Sequence, residues 1–351
     1  MDRGHTVRVA GYDTQVRPFR ALGLDVTVLA RGGTKPTGSD PLRAVFEGVF
    51  VNADHVDDVA DELAAFAPDV VVVDCMLFGA LAGAYASGVP TAALIHSAPR
   101  ALAEGPGMER LLPQINALRA GLALPAVDEV LGAWTDGAAL ATSLPALDGR
   151  TPSVGVTYLG PLADQRSGVW QSPWTGGDDR SLILASLSTG RVFGDQTPRY
   201  QRIADGLADL PLRLLITTGG AVDPADLQLP ANAHAVSFAP HREILLQAAA
   251  CILHAGHGTL CAALGNGVPL VCLPNPAADQ PHLARRIDAL GAGIHLQRDA
   301  SPTEIGAAVT RLLDDRGFRE AAKRLATMMQ DAPGIDGAAV ALHALTGANA
   351  A

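Results

Sequence analysis

The sequence predicts an α/β protein built from two doubly wound parallel sheets. Three observations predict it. Short β-branched runs alternate with alanine-rich helical stretches in each half of the chain, the pattern of repeated strand–helix–strand units. The length of 351 residues suits about two domains. A Gly-, Pro-, Ser- and Asp-rich stretch divides the halves.

In the first half the strands are read at TVRVAG, DVTVLA, DVVVVD, TAALIH and ALAT, with a helix over Leu77 to Ser87. The second half repeats the scheme with SLILASLS, LRLLITT, HAVSFA, ACILHA, PLVCLP and GIHL. Helices fit between them over Pro198 to Leu207, Thr259 to Leu264 and Pro281 to Leu290. The boundary stretch LGPLADQRSGVWQSPWTGGDD holds two of the three tryptophans. Its composition suits a surface linker. The expected organisation is a first domain over 1–158, a linker over 159–179, a second domain over 180–335 and a C-terminal helix or tail over 336–351.

Composition narrows the function. Hydrophobic residues make up 48% and charged residues 18%, which supports large buried cores and excludes global disorder. The net charge of −10 argues against sequence-independent nucleic-acid binding. Cys75, Cys251, Cys261 and Cys272 lie in apolar segments without C-x-x-C spacing, so they read as thiols in a reducing cytosol. MDRGHTVRVAG lacks the apolar core of a secretory signal. The most apolar stretch, Val70 to Val89, contains Asp74 and three glycines and reads as strand plus helix, not as a membrane span. A cytoplasmic protein is expected.

The segment HAGHGT, His254 to Thr259, follows the apolar run AAACIL. In a parallel sheet, ligands bind beyond the carboxyl ends of the strands. Ala255, Gly256 and Gly258 keep the turn slim, His257 reads as a turn residue, and Thr259 reads as the cap or first residue of the next helix. A histidine, a glycine turn and a helix start can cradle a diphosphate; any strand-to-helix turn also favours glycine and threonine. One unit later, PLVCLP leads to Asp279 and Gln280 at the same edge. A carboxylate beside an amide can bracket sugar hydroxyls, or cap a helix. SLSTG, with Ser188, and FAPHREIL, with Phe238 and His241, add further turns at strand ends.

These segments, H-x-G-x-G-T, then G-V-P-L-V-x-L-P, then D-Q, closely resemble the donor signature of family 1 glycosyltransferases. That family includes actinobacterial natural-product, macrolide and plant enzymes. SLSTG, the Pro240-His241 turn and YLGPL at 158–162 extend the resemblance over nearly the whole chain. It implies a GT-B fold: two Rossmann-like domains facing a cleft that holds a UDP- or dTDP-type sugar nucleotide. It assigns His254, Gly256, Gly258 and Thr259 to the diphosphate and Ser188 to the phosphate side. Asp279 and Gln280 take the sugar hydroxyls, and Phe238 and His241 line the nucleobase. It further implies one inverting displacement with no cofactor and no metal, the leaving diphosphate being stabilised by a positive imidazole and a helix N-terminus. The expected partners are the nucleotide sugar and a small lipophilic acceptor, with a homodimer allowed. Two positions depart from the pattern: Ala262 stands where plant members carry a glutamate, and Leu283 where an asparagine is common.

The front half departs further. The family's base is a histidine in a loop after the first strand, oriented by an aspartate from another strand end. Gly4-His5 matches the end of the first helix instead. The resemblance therefore implies that the first β-α unit, about 30 residues, is absent and the N-terminal domain truncated, with a late start codon the favoured explanation. Asp74 matches the orienting aspartate by position. His96, following TAALI, is the first-ranked substitute base; His55, in NADHVDD, reads as a solvated loop residue. Acceptor loops are expected at Arg31 to Asp40, Ser97 to Pro106 and Ala133 to Ala138. The alternative is a noncatalytic nucleotide-sugar-binding or accessory protein. Another GT-B enzyme, an epimerase or a cell-wall N-acetylglucosaminyltransferase, ranks third. Hydride chemistry is disfavoured, because no G-x-G-x-x-G follows a first strand.

Overall fold

In the computed structural model, residues 4–32, 45–162, 168–174, 176, 178–187 and 194–348 are described. The second half forms one six-stranded sheet. Its strands are β7 (Ser181–Ser186), β8 (Leu212–Thr217), β9 (Ala233–Val236), β10 (Ala248–Leu253), β11 (Leu270–Cys272) and β12 (Gly293–His295). The spatial order is β12-β11-β10-β7-β8-β9 and every pairing is parallel. Counted from β7, this is the doubly wound order 3-2-1-4-5-6. Its switch point lies between β7 and β10, where a crevice opens at the carboxyl edge.

The sheet is covered on both faces, which explains why its strands read as continuous apolar runs. Leu182, Leu184, Cys251, Leu253, Leu270 and Cys272 pack into one layer. The alternating Ile183, Ala185, Ala250, Ile252 and Val271 pack into the other. The period of two distributes side chains to opposite faces.

The first half is divided. β3 (Val71–Asp74), β4 (Thr91–Ile95), β5 (Ala138–Ala141) and β6 (Val156–Tyr158) form a four-stranded parallel sheet. β1 (Arg8–Gly11) and β2 (Asp25–Val28) form a separate parallel pair. β3 is the outer strand of its sheet, and Val72 on it is 44% exposed. The pair is tied to the rest by the helix Asp54–Phe66: Arg8 stacks over Phe66, and Asp58 accepts from the backbone N–H groups of Arg31 and Gly32. The core beneath the larger sheet centres on Trp134, fully buried, whose Nε1 donates to the Cys75 carbonyl at 2.7 Å.

The final helix, Gly334–Ala348, returns to the first half. Ala338, Ala341, Leu342 and Leu345, one helical stripe, pack on Ala92, Leu140 and Leu159. All eleven expected strands are present, and β6 is an additional one. The helices Asp13–Ala21 and Asp54–Phe66 are additional too. The second corrects the reading of His55, which lies on that helix, fully buried, with Nε2 2.9 Å from the Tyr12 hydroxyl. An amphipathic helix hides inside NADHVDDVADELAAF because Asp54, Asp57 and Asp61 occupy its outer face, while Asp58 turns inward with His55. No helix among the described residues is long and apolar enough to cross a membrane. The four cysteines are free and buried.

Candidate nucleotide-sugar site

The turn after β10 sits at the switch point. Ala255 holds a left-handed backbone (φ 62°) while fully buried, so the chain reverses within one residue. Gly256 is the N-cap of the helix His257–Gly265. A Cβ on Gly256 would collide with Nε2 of His254, so glycine here leaves room for that ring. Thr259 is therefore the third residue of the helix, neither its cap nor its first residue. His257 is the first helical residue, not part of the turn, and its Nε2 lies 3.0 Å from Ser143 Oγ in the other half of the chain.

His254 is held neutral. Burial lowers its pKa to about 4, the nearby Arg199 lowers it further, and a hydrogen bond with the Ser186 backbone opposes both. This corrects the expectation of a positive imidazole. The fixed positive charge is Arg199, on the helix Thr197–Leu207 and 4% exposed. Burial first, then Arg298 and Arg202, lowers its pKa to about 10, which still leaves it charged near neutrality. No carboxylate among the described residues pairs with it. It donates to Gln196 Oε1 at 2.7 Å, Asn275 Oδ1 at 2.9 Å and the Leu273 carbonyl at 2.5 Å.

Asp279 and Gln280 emerge beyond β11 at the same edge, 8% and 5% exposed. Gln280 opens the helix Gln280–Ala289. Its Oε1 accepts from both the backbone N–H and the Nδ2 of Asn275, each at 3.0 Å. Asp279 Oδ2 accepts from Ser97 Oγ at 2.5 Å, a bond between the two halves of the chain. Burial raises the Asp279 carboxyl, opposed by the Ser97 hydroxyl. Leu283 is fully buried in the core beneath this helix. Ala262 is exposed on the helix His257–Gly265. Phe238 is 75% exposed after β9, and His241 Nε2 lies 2.9 Å from Thr217 Oγ1. Ser188 and most of the expected loop Arg31 to Asp40 lie outside the described residues.

The opposite wall comes from the carboxyl edge of the first-half sheet. Asp74 ends β3, and His96 follows β4, the strand paired with it. His96 Nδ1 lies 3.1 Å from Asp74 Oδ2 and 3.8 Å from Cys75 Sγ. Asp74 Oδ1 accepts from the Met76 backbone N–H, which fixes the carboxylate. His96 Nε2 has no hydrogen-bond partner among the described residues. A carboxylate on Nδ1 with a free Nε2 is the geometry of an oriented general base. Burial lowers the His96 pKa, but the hydrogen bonds and charges of Asp74 and Cys75 outweigh it and push it up to about 11. Asp74 shifts down: burial raises its carboxyl, and the His96 bonds overcome this. The resting pair is imidazolium and carboxylate. Solvent reaches about half of each side chain (49% and 45%), which screens it. Asp74, Cys75 and His96 are also the one trio of possible metal ligands within 4.8 Å of one another among the described residues.

His96 and Ser97 are consecutive, so one turn carries both the dyad histidine and the hydroxyl bound to Asp279. Sequence reading missed three residues here, Arg199, Asn275 and Ser143, and placed Ser97 only at the start of an expected acceptor loop. Asn275 was within reach, since it stands between the end of β11 and Asp279-Gln280. Arg199, Ser97 and Ser143 carry no local signal, because their partners are 76, 182 and 114 residues away.

The fold is that of the GT-B glycosyltransferases. Residues 201–345 match the Erythromycin biosynthesis protein CIII-like C-terminal domain. The chain is 28% identical to 4'-demethylrebeccamycin synthase of Lentzea aerocolonigenes, over 82% of this chain and 77% of that one. Further relatives match over about half of this chain (48%) and 36–42% of their own length. The kitacinnamycin glycotransferase superposes with a TM-score of 0.80 at 22% identity, covering 98% of this chain and 92% of the other. The glycosyltransferase VinC, solved with dTDP, gives 0.71 at 17% identity, covering 99% and 93%. The chain thus has the GT-B fold, and its homologues are glycosyltransferases of natural-product biosynthesis.

Proposed function

We propose that the protein transfers a sugar from a nucleoside-diphosphate sugar to a hydroxyl of a small lipophilic acceptor, with inversion and without a metal. One observation carries the reading: the turn that brings His96 to Asp74 also bonds the donor edge, through Ser97 and Asp279. His254, the first turn of the helix His257–Gly265 and the charge of Arg199 suit the diphosphate. The helix start and Arg199 supply positive potential where the leaving group gains charge, and His254 a neutral donor, so the chemistry needs no resident cofactor. Asp279 and Gln280 suit the sugar. Nε2 of His96 would take the acceptor proton as its oxygen attacks the anomeric carbon from the face opposite the diphosphate. The nucleotide is of the dTDP or UDP type, since the similar chain VinC was solved with dTDP.

The direction of the His96 shift favours a second reading, a nucleotide-sugar binder without turnover, because an imidazolium cannot accept a proton. Acceptor-dependent release of nucleoside diphosphate separates the two. As an enzyme, the protein releases dTDP or UDP faster as pH rises and His96 deprotonates, and His96→Asn lowers that rate about a hundredfold, in the range of general-base losses. Nucleotide-sugar binding with no acceptor-dependent release at any pH from 6 to 10 establishes the binder. Equal turnover by His96→Asn removes His96 from the mechanism.

A further inference from the structure

Arg199, Asn275 and Gln280 form a hydrogen-bonded chain whose direction is fixed at one end. A guanidinium can only donate. The Asn275 atom facing Arg199 is therefore its oxygen, and the Asn275 amino group is turned the other way, toward Gln280. That amino group can only donate, so it meets the Gln280 oxygen. The backbone N–H of Asn275, a second donor-only group, meets the same oxygen. Neither amide can flip without placing two donors, or two acceptors, face to face in a buried site, where an unmatched polar group is costly. The Gln280 amino group is left without a partner among the described residues.

We infer that Arg199 and Asn275 are positioning residues that fix Gln280 as a hydrogen-bond donor, so that with Asp279 the site selects donor sugars by hydrogen-bond polarity. This rests on the sugar-contact reading of Gln280 and Asp279. Asp279 Oδ2 is occupied by the Ser97 hydroxyl, which leaves Oδ1 as the acceptor. A fitting sugar then presents an oxygen lone pair to Gln280 and a hydroxyl hydrogen, or an ammonium, to Asp279. A sugar that turns an ammonium toward Gln280 meets two opposed donors and is rejected. The buried charge of Arg199 thereby acts on a position two residues along the chain. A neutral donor there could itself reverse and would not hold the direction.

The test measures dissociation constants of the full chain by calorimetry for dTDP and dTDP-glucose, and for UDP and UDP-glucose. The readout is the ratio of the constant for the nucleotide to that for the matching sugar nucleotide. General damage moves both constants together, and an added negative charge weakens the more highly charged free nucleotide at least as much as its sugar ester, so neither lowers this ratio. Gln280→Glu still accepts from Asn275 but has no hydrogen to donate. Asn275→Asp keeps an acceptor for Arg199 and turns a second acceptor on Gln280. In each, the ratio is expected to fall about tenfold, the worth of one hydrogen bond of about 1.4 kcal/mol. A ratio within twofold of wild type in both variants overturns the polarity chain and leaves the donor-site reading standing, since wild type still binds the sugar nucleotide. If wild type binds none of the four ligands, the donor-site reading falls and the polarity chain with it.

Discussion

At the residue scale, two neighbouring positions divide the work that the sequence placed on one histidine. His254 supplies shape and a neutral N–H donor, and Arg199 supplies the charge. Gly256 connects them to the turn, because only a missing Cβ lets the His254 ring lie over it. Gly256→Ala is expected to displace that ring and weaken dTDP or UDP binding about tenfold, the loss of one good hydrogen bond. The helix is retained: alanine is the weaker N-cap, at a cost of about 1 kcal/mol or less, and the helix is held by its buried residues Leu260, Cys261, Ala263 and Leu264. Calorimetry gives the first effect and circular dichroism the second; unchanged affinity would show that the His254 ring does not touch the diphosphate.

At the element scale, the donor edge is set by the doubly wound sheet, in which the ends of β7 and β10 are neighbours at the switch point. The helix Pro302–Asp314 shows how strongly local signals act where they exist. It starts with a complete capping box between Ser301 and Glu304, followed by Pro302 at its first position. β3 shows the opposite case. Its outer edge is unpaired among the described residues and carries the exposed Val72, a combination that invites edge-to-edge association. Val72→Lys is expected to lower light scattering during storage at high concentration without changing the melting temperature by more than about 2 °C, as for other surface changes. Unaltered scattering would place the association surface elsewhere.

At the scale of the whole molecule, buried histidines tie stability to pH. His254 and His257 titrate near 4 in the folded protein, both through burial, against 6.5 when exposed. The unfolded chain binds more protons between these values, so stability is present above about pH 6.5 and is lost as pH falls toward 4. His96 has the opposite sign. Its raised value gives stability that is present below 6.5 and lost as pH rises toward 11, an effect that solvent screening reduces. The melting temperature should therefore peak between about pH 6.5 and 7.5, and His257→Gln should flatten the acid side. Scanning calorimetry from pH 4 to 9 checks both; an acid slope unchanged by His257→Gln would remove that residue as a cause.

The sequence by itself determined the class of fold and the donor edge. Strand runs with β-branched residues on both faces can only be covered sheets, and a glycine turn between an apolar strand and a helix start places its histidine at the carboxyl edge. Those are local properties, so they were readable: every expected strand formed, and His254, Asp279 and Gln280 stand at one edge. The tertiary structure alone decided what these residues face. His55 read as solvated because a helix with an acidic outer face looks like a polar loop, yet its inner face packs on Tyr12. His257 read as a turn residue because nothing near it in the chain announces Ser143. The Asp74–His96 pair, the Ser97–Asp279 bond and the Arg199–Asn275 bond join residues 22, 182 and 76 positions apart. Hydrogen-bond direction and pKa depend on the groups within a few ångströms, and in a parallel α/β fold those groups arrive from separate strands.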